Sequence, residues 1–270
     1  MPQSLKRTSA QTGASHHAGS FPTVRVLVAC LLRTWLVGAG FNTRGMQNIG
    51  FAYAMDPGLM ELYHDPEMLR LARRRYATHY NTHPFWTPLL VGIFLGMERK
   101  IAKGLFPVEI LENVRTTTIY TLSAIGDSFF GGSVLVLWSL VTGCLYVSGH
   151  GGVAVALGAG LFVSLALFKA LTFWYGFREG LNFLHRLGRW NLINWGQRFK
   201  LVNAILIVLF WALAWPGEIV WYSWLPVTFC FGVLAITISA LGLSREILAA
   251  FLVAVYLGLP WLRHLWTWLF

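Results

Sequence analysis

The chain has 270 residues, of which 56% are hydrophobic and only 12% charged, with a formal net charge of +10 and a mean hydropathy of +0.58. A soluble globular domain carries about twice that share of charge, so composition assigns an integral membrane protein. The cations cluster between apolar runs, as in loops facing anionic lipid, and no basic face interleaved with surface aromatics marks a nucleic-acid binder.

Residues 1–20 are polar, rich in Ser, Thr and Gly, and read as a disordered tail with no signal peptide. Residues 24–40 set Arg25 and Arg33 among Val, Leu and Trp, a pattern suited to an interfacial or partner-facing amphipathic helix. In residues 41–51 the polar Asn42, Arg44, Gln47 and Asn48 alternate with apolar groups. Either a buried helix bonded to its neighbours or a ligand-contacting segment fits that pattern.

Asp65-Pro66-Glu67 is a helix start, with an N-cap acid and Pro at the first helical position. The helix is expected to run through Arg70, Arg73, Arg74 and Arg75 to about Tyr80. Pro84 disfavours helical geometry at His83 and ends it. The apolar run 85–97 is too short for a span and suits a re-entrant or buried helix. Glu98, Arg99, Lys100 and Lys103 close it, and 106–115 reads as a short amphipathic helix.

From Thr116 to Phe168 the only formal charge is Asp127, in Ser123-Ala-Ile-Gly-Asp-Ser-Phe-Phe-Gly-Gly-Ser133. A carboxylate at membrane depth costs about 3 kcal/mol or more unless it is paired or faces a cavity, which makes Asp127 a functional candidate. Gly126, Gly131 and Gly132 permit irregular backbone there. Two roles stay open for Asp127: a ligand contact, or a structural one as the cap of a half-helix or the partner of Arg44 or Arg115.

Apolar runs at 128–147, 153–175, 201–215, 219–243 and 247–262 are expected transmembrane helices, with Lys169 snorkelling to the interface. Tryptophans cluster near their ends, as in an interfacial belt. The expected fold class is therefore an all-α integral membrane protein. Cytoplasmic or re-entrant amphipathic helices (21–118) precede about five transmembrane helices (119–270), forming a single membrane-embedded domain over 21–270. Cation clusters place the 70–75, 99–103 and 178–200 segments and the N-terminus in the cytoplasm; five spans put the C-terminus outside, while Arg263 and His264 count against that and leave its side open. Cys30, Cys144 and Cys230 lie far apart and read as small buried thiols rather than ligands or disulfides. No metal spacing, phosphate loop or nucleophile motif is present, so no cofactor is expected and a membrane-embedded enzyme lacks support.

Three stretches together resemble the enzyme IID component of the mannose/fructose/sorbose class of bacterial sugar phosphotransferase systems. They are Phe41-Asn-Thr-Arg-Gly-Met-Gln-Asn-Ile-Gly-Phe-Ala-Tyr-Ala54, Tyr80-Asn-Thr-His-Pro-Phe85 and Gly126-Asp-Ser-Phe-Phe-Gly-Gly-Ser133. Trp174-Tyr-Gly-Phe-Arg-Glu-Gly180 adds a fourth. The resemblance implies a multi-pass protein of the bacterial inner (plasma) membrane. It would form the sugar translocation unit with an enzyme IIC subunit inside a hetero-oligomer, while IIA and IIB carry phosphate, so the chain itself is not an enzyme. The implied partners are IIC, IIB and IIA, the sugar and the lipid bilayer. Candidate sugar contacts are Asp127, Asn81, Asn42, Gln47, His83 and Glu98, whose amides, imidazole and carboxylates can bond several hydroxyls at once. Departures from the family pattern fall at Phe41, Arg44-Gly45, Arg99 and Gly131-Gly132. The alternative is a diverged IID-like scaffold that assembles IIC and IIB without binding sugar.

Overall fold

The computed structural model describes residues 21–215, 220–241, 250 and 253–254. The expected tail lies outside the described residues, as does nearly all of the expected last span. The described residues are helical, joined by short loops, and fall into two units divided after Ala214.

The first unit is built around α4 (Thr87–Ala102), in which Leu89, Leu90, Val91, Ile93, Phe94 and Leu95 are fully buried. Its apolar face runs all the way round, as expected of a helix enclosed by protein. The long helix α7 (Gly151–Glu179) packs directly on it. Backbones meet there because side chains are missing: a Cβ at Gly92 would fall 2.2 Å from the Phe173 carbonyl oxygen. One at Gly176 would fall 2.7 Å from that of Leu89. Small residues that let helices approach in this way are the usual device for packing in lipid.

Around α4 lie α1 (Val24–Arg33), a 3-10 turn (Thr34–Gly40), α2 (Asn48–Leu62) and α3 (Pro66–Tyr76). Helix α1 buries Leu27 and Cys30, yet leaves Val24, Val28 and Leu32 exposed, as a partner- or lipid-facing helix would. Burial pushes the Cys30 thiol up to about 12, which keeps it inert; all three cysteines are free, and Cys30 and Cys144 are buried as expected whereas Cys230 is exposed. Asp65 caps α3 by accepting from the Glu67 amide at 3.0 Å. The helix stops at Tyr76 rather than near Tyr80, because the Tyr80 backbone bonds the first motif loop instead.

Glu98, at the polar end of α4, ties this half together. Tyr63 and Tyr76 donate to it at 2.5 and 2.8 Å, and Arg75 grips both of its oxygens at 2.8–3.1 Å. Its carboxylate is wholly buried. Burial, and then the Glu98 charge, push both tyrosines well above their usual range, so they stay protonated donors.

The segment expected to be a short amphipathic helix at 106–115 does not end there. Helix α5 (Val108–Gly126) runs through a π-helical segment (Asp127–Val134) into α6 (Leu135–Val147) as one 40-residue rod. The glycines widen the turn without breaking it, so Asp127 caps no half-helix. A π-segment inside an α-helix is rare and is frequent at functional sites. Helix α9 (Leu192–Leu213) staples it. The Asn203 amide donates to the Ser133 carbonyl at 3.0 Å, and Ser133 Oγ lies 3.1 Å from the Gly196 carbonyl. This helix starts at Leu192, before the apolar run at 201, so Arg198 and Lys200 ride on it rather than in a loop. The rest of the expected cationic loop contains the short α8 (Leu181–Gly188), entered through Gly180 at φ +59° and held by an Arg186–Glu179 pair at 2.9 Å.

Three helices among the described residues are long and apolar enough to cross a bilayer: 108–147, 151–179 and 192–213. They match the first three expected spans. In the second unit, the helix α10 (Trp221–Leu241) lies on the fourth apolar run and is not among those three.

Candidate functional site

The first two motifs fold into one knot. Met46, with φ +60°, turns the chain so that Asn42 and Met46 exchange backbone bonds at 2.9 Å. The Gln47 amide then donates to the Tyr80 carbonyl at 2.8 Å. Asn42 is the hub. Its oxygen accepts the Arg44 and Gly45 amides at 3.1 and 2.8 Å, while its nitrogen reaches Gly40, Met46 and Asn48. Asn48 donates to the Ala77 carbonyl at 2.6 Å. Gln47 Oε1 lies 3.5 Å from the Thr82 amide, and Thr82 Oγ1 lies 3.5 Å from the Ile119 carbonyl on α5.

This knot aims His83 at the third motif. The His83 Cβ packs on Gly126, where an added Cβ would come within 2.3 Å of it. Its ring stacks on Phe130 at 5.3 Å and meets Phe85 at 5.1 Å. Phe130 is in turn the centre of a cluster with Phe85, Trp86, Phe129 and Phe168, at centroid distances of 4.9–5.5 Å.

Two charges act on this imidazole from different helices. Asp127 is exposed and makes no hydrogen bond or ion pair among the described residues, with Arg44 and Arg115 as little as with any other. Lys169 is 5% exposed, its ammonium 3.9 Å from the Trp35 ring and 5.2 Å from that of Phe85. It points inward rather than snorkelling, because the rings offer a cation–π cage. Desolvation lowers the His83 pKa, the Lys169 charge lowers it further, and Asp127 opposes both. The imidazole is therefore held neutral, able to donate from one nitrogen and accept at the other.

The six expected contacts thus separate. His83 and Asp127 are brought together, and Asn81 lies two residues before His83, half-buried and with no side-chain hydrogen bond among the described residues. Asn42 and Gln47 are spent inside the knot, and Glu98 on Arg75, Tyr63 and Tyr76. Sequence reasoning missed Lys169 and Trp35 as members of the site. The available signal was that Asp127 and Lys169 are the only formal charges between Arg115 and Arg178. No group of His, Cys, Asp and Glu that could hold a metal occurs among the described residues.

Long apolar helices enclosing a short buried one define an all-helical membrane protein. The PTS system mannose/fructose/sorbose family IID component model matches residues 23–208, and the chain belongs to that family. Among curated relatives, the PTS system mannose-specific EIID component of Escherichia coli K12 is 26% identical, over 58% of this chain and 56% of that one. The sorbose-specific EIID component of Klebsiella pneumoniae is also 26% identical, over 60% of each chain. The fructose permease IID component of Bacillus subtilis is 23% identical, over 58% of this chain and 56% of that one. The chain thus spans a little over half the length of the curated relatives it matches. Its fold is similar to a solved membrane protein, with TM-score 0.68 and 19% identity, covering 88% of this chain and 97% of that one. It is also similar to a chain in the cryo-EM structure of the mannose transporter ManYZ with microcin E492, with TM-score 0.55 and 20% identity, covering 89% and 97%.

Proposed function

We propose that this chain is the membrane subunit that forms, with an enzyme IIC subunit, the sugar translocation unit of a mannose-class phosphotransferase system, with IIA and IIB carrying the phosphate. Asp127, Asn81 and His83 line the sugar path, and Asn42 and Gln47 hold the loop that presents them. One observation carries this reading: Asp127 stands on a membrane-length helix with no partner among the described residues, beside a neutral imidazole. A carboxylate so placed needs a polar ligand or a group from another subunit. The Phe85–Phe130 rings supply the apolar platform that a sugar ring favours. The cationic α3 and α4 ends face the cytoplasm, where IIB would dock.

The scaffold reading draws support from Asn42 and Glu98, whose polar groups are engaged within the chain, and from Gln47, whose oxygen lies 3.5 Å from the Thr82 amide. Uptake of labelled sugar by cells expressing the chain with its IIC, IIB and IIA partners separates the two. Asp127→Asn and Asn81→Ala should each cut uptake about tenfold or more while IIC still copurifies. Unchanged uptake in both, or lost IIC association with sugar affinity intact, leaves the scaffold.

A further inference from the structure

Arg115 is the last cation before the apolar run, and its Nε and Nη1 are buried with no hydrogen-bond partner among the described residues. Arg75, by contrast, has Glu98, while Arg99 leaves one buried nitrogen, Nε, unmatched and sets its guanidinium 4.8 Å from the centre of the Phe21 ring. Glu112, three residues earlier on the same helix, is exposed and forms no ion pair with Arg115. Buried charged donors left unmatched are costly, so the geometry calls for an acceptor that the described residues do not supply.

Arg115 lines a cavity of about 200 Å³ with Thr78, His79, Thr116, Ile119 and Tyr120. Thr78 and Thr116 already give their protons to the Arg75 and Glu112 carbonyls, at 2.8 and 3.1 Å. The free donors are therefore the Arg115 guanidinium, the Tyr120 hydroxyl and the His79 ring, which stacks on Tyr120 at 6.5 Å. A cation flanked by a hydroxyl and an imidazole suits an oxyanion, phosphate above all.

Depth selects the source. From Arg115 to Val147 the rod runs about 48 Å at 1.5 Å per residue, close to the roughly 40–45 Å that separates the two headgroup layers. With Val147 at one surface, Arg115 lies at the phosphate level of the other. Arg99, Lys100 and Lys103, close before it in the chain, add the positive field that draws anionic lipid. We propose that the Arg115 cavity binds a phosphate group presented by an anionic lipid headgroup.

The test uses the full chain in nanodiscs of mixed phosphatidylglycerol and phosphatidylcholine, with retained lipid counted by native mass spectrometry. The wild type should keep phosphatidylglycerol, and Arg115→Gln should cut that retention about tenfold. Arg115→Lys should fall between, since it keeps the charge and loses the extra guanidinium donors. Tyr120 is 58% exposed, so Tyr120→Phe leaves the core intact and should lower retention roughly two- to threefold even if the Arg115 variants fold poorly. Displacement of the lipid by inorganic phosphate supports the proposal and shows that free phosphate also fills the cavity. Equal retention in wild type, Arg115→Gln and Tyr120→Phe overturns it. So does loss of a copurifying subunit in Arg115→Gln with lipid unchanged, which assigns the cavity to a partner's carboxylate.

Discussion

Lys169 Nζ sits 3.9 Å from the centre of the Trp35 ring, so a charge on a membrane-length helix is held by an aromatic face and not by an acid. Asp127, of opposite sign and also near His83, is left for something else to meet. A charge kept at such cost without a salt bridge is better explained by use than by stability.

Lys169→Met tests that separation. Met keeps the length of the stem and removes the buried charge, which is neutral or stabilising when the replacement packs well. The thermal midpoint of the purified variant should equal or exceed that of the wild type. Sugar uptake should fall about tenfold or more, as for other charged contacts.

The Glu98 cluster behaves in the opposite way. Glu98→Gln strands the Arg75 guanidinium and weakens two tyrosine bonds, and breaking one side of a buried pair costs about 3–5 kcal/mol. The loss should appear as a large drop in thermal midpoint. The double variant Arg75→Met/Glu98→Leu should lose less than the sum of the two single changes.

The same cluster predicts alkaline sensitivity. Tyr63 and Tyr76 have pKa values raised above the ordinary 10.0. Above that pH the unfolded chain releases protons that the folded chain keeps. Their contribution is complete below about pH 10 and is lost as pH rises beyond it. Melting curves from about pH 8 to pH 11 should show the loss, and Tyr63→Phe should flatten it.

His83 predicts a shift at the other end of the scale. Its pKa is lowered from 6.5, so on acidification the unfolded chain binds a proton that the folded chain resists. Stability should be full above about pH 6.5 and decline below it, and His83→Gln should flatten that decline. Asp127→Asn removes the one opposing charge and should deepen it.

Close approach of α4 and α7 makes a steric prediction. Gly92→Ala sets a Cβ against the Phe173 carbonyl and should destabilise by about 3 kcal/mol or more. Gly160→Ala, on the same α7 but with nothing within 4 Å, should be neutral or slightly stabilising in detergent melts.

Composition and motif chemistry were legible where local physics decides. Asp65-Pro66 caps α3, and the first three apolar runs lie on long helices. Arg33 suits an amphipathic α1, where it stacks 4.1 Å from the Tyr53 ring. Partners across the chain were not legible. Nothing around Glu98 in the sequence points to Tyr63, and nothing near Lys169 points to Trp35. The π-segment was half visible: the glycines announced irregular backbone, but its continuity depends on Asn203 and Ser133 satisfying the widened turn.

The encasement of α4 has a consequence for how the chain is made. Gly92 and Phe173 are roughly eighty residues apart, and at about 5–20 residues per second a ribosome needs several seconds or more to supply the second after the first. During that interval a sixteen-residue apolar helix, too short to span the bilayer, waits without its cover. Insertion machinery must shelter it until α7 arrives, and the yield of folded protein is set in that window.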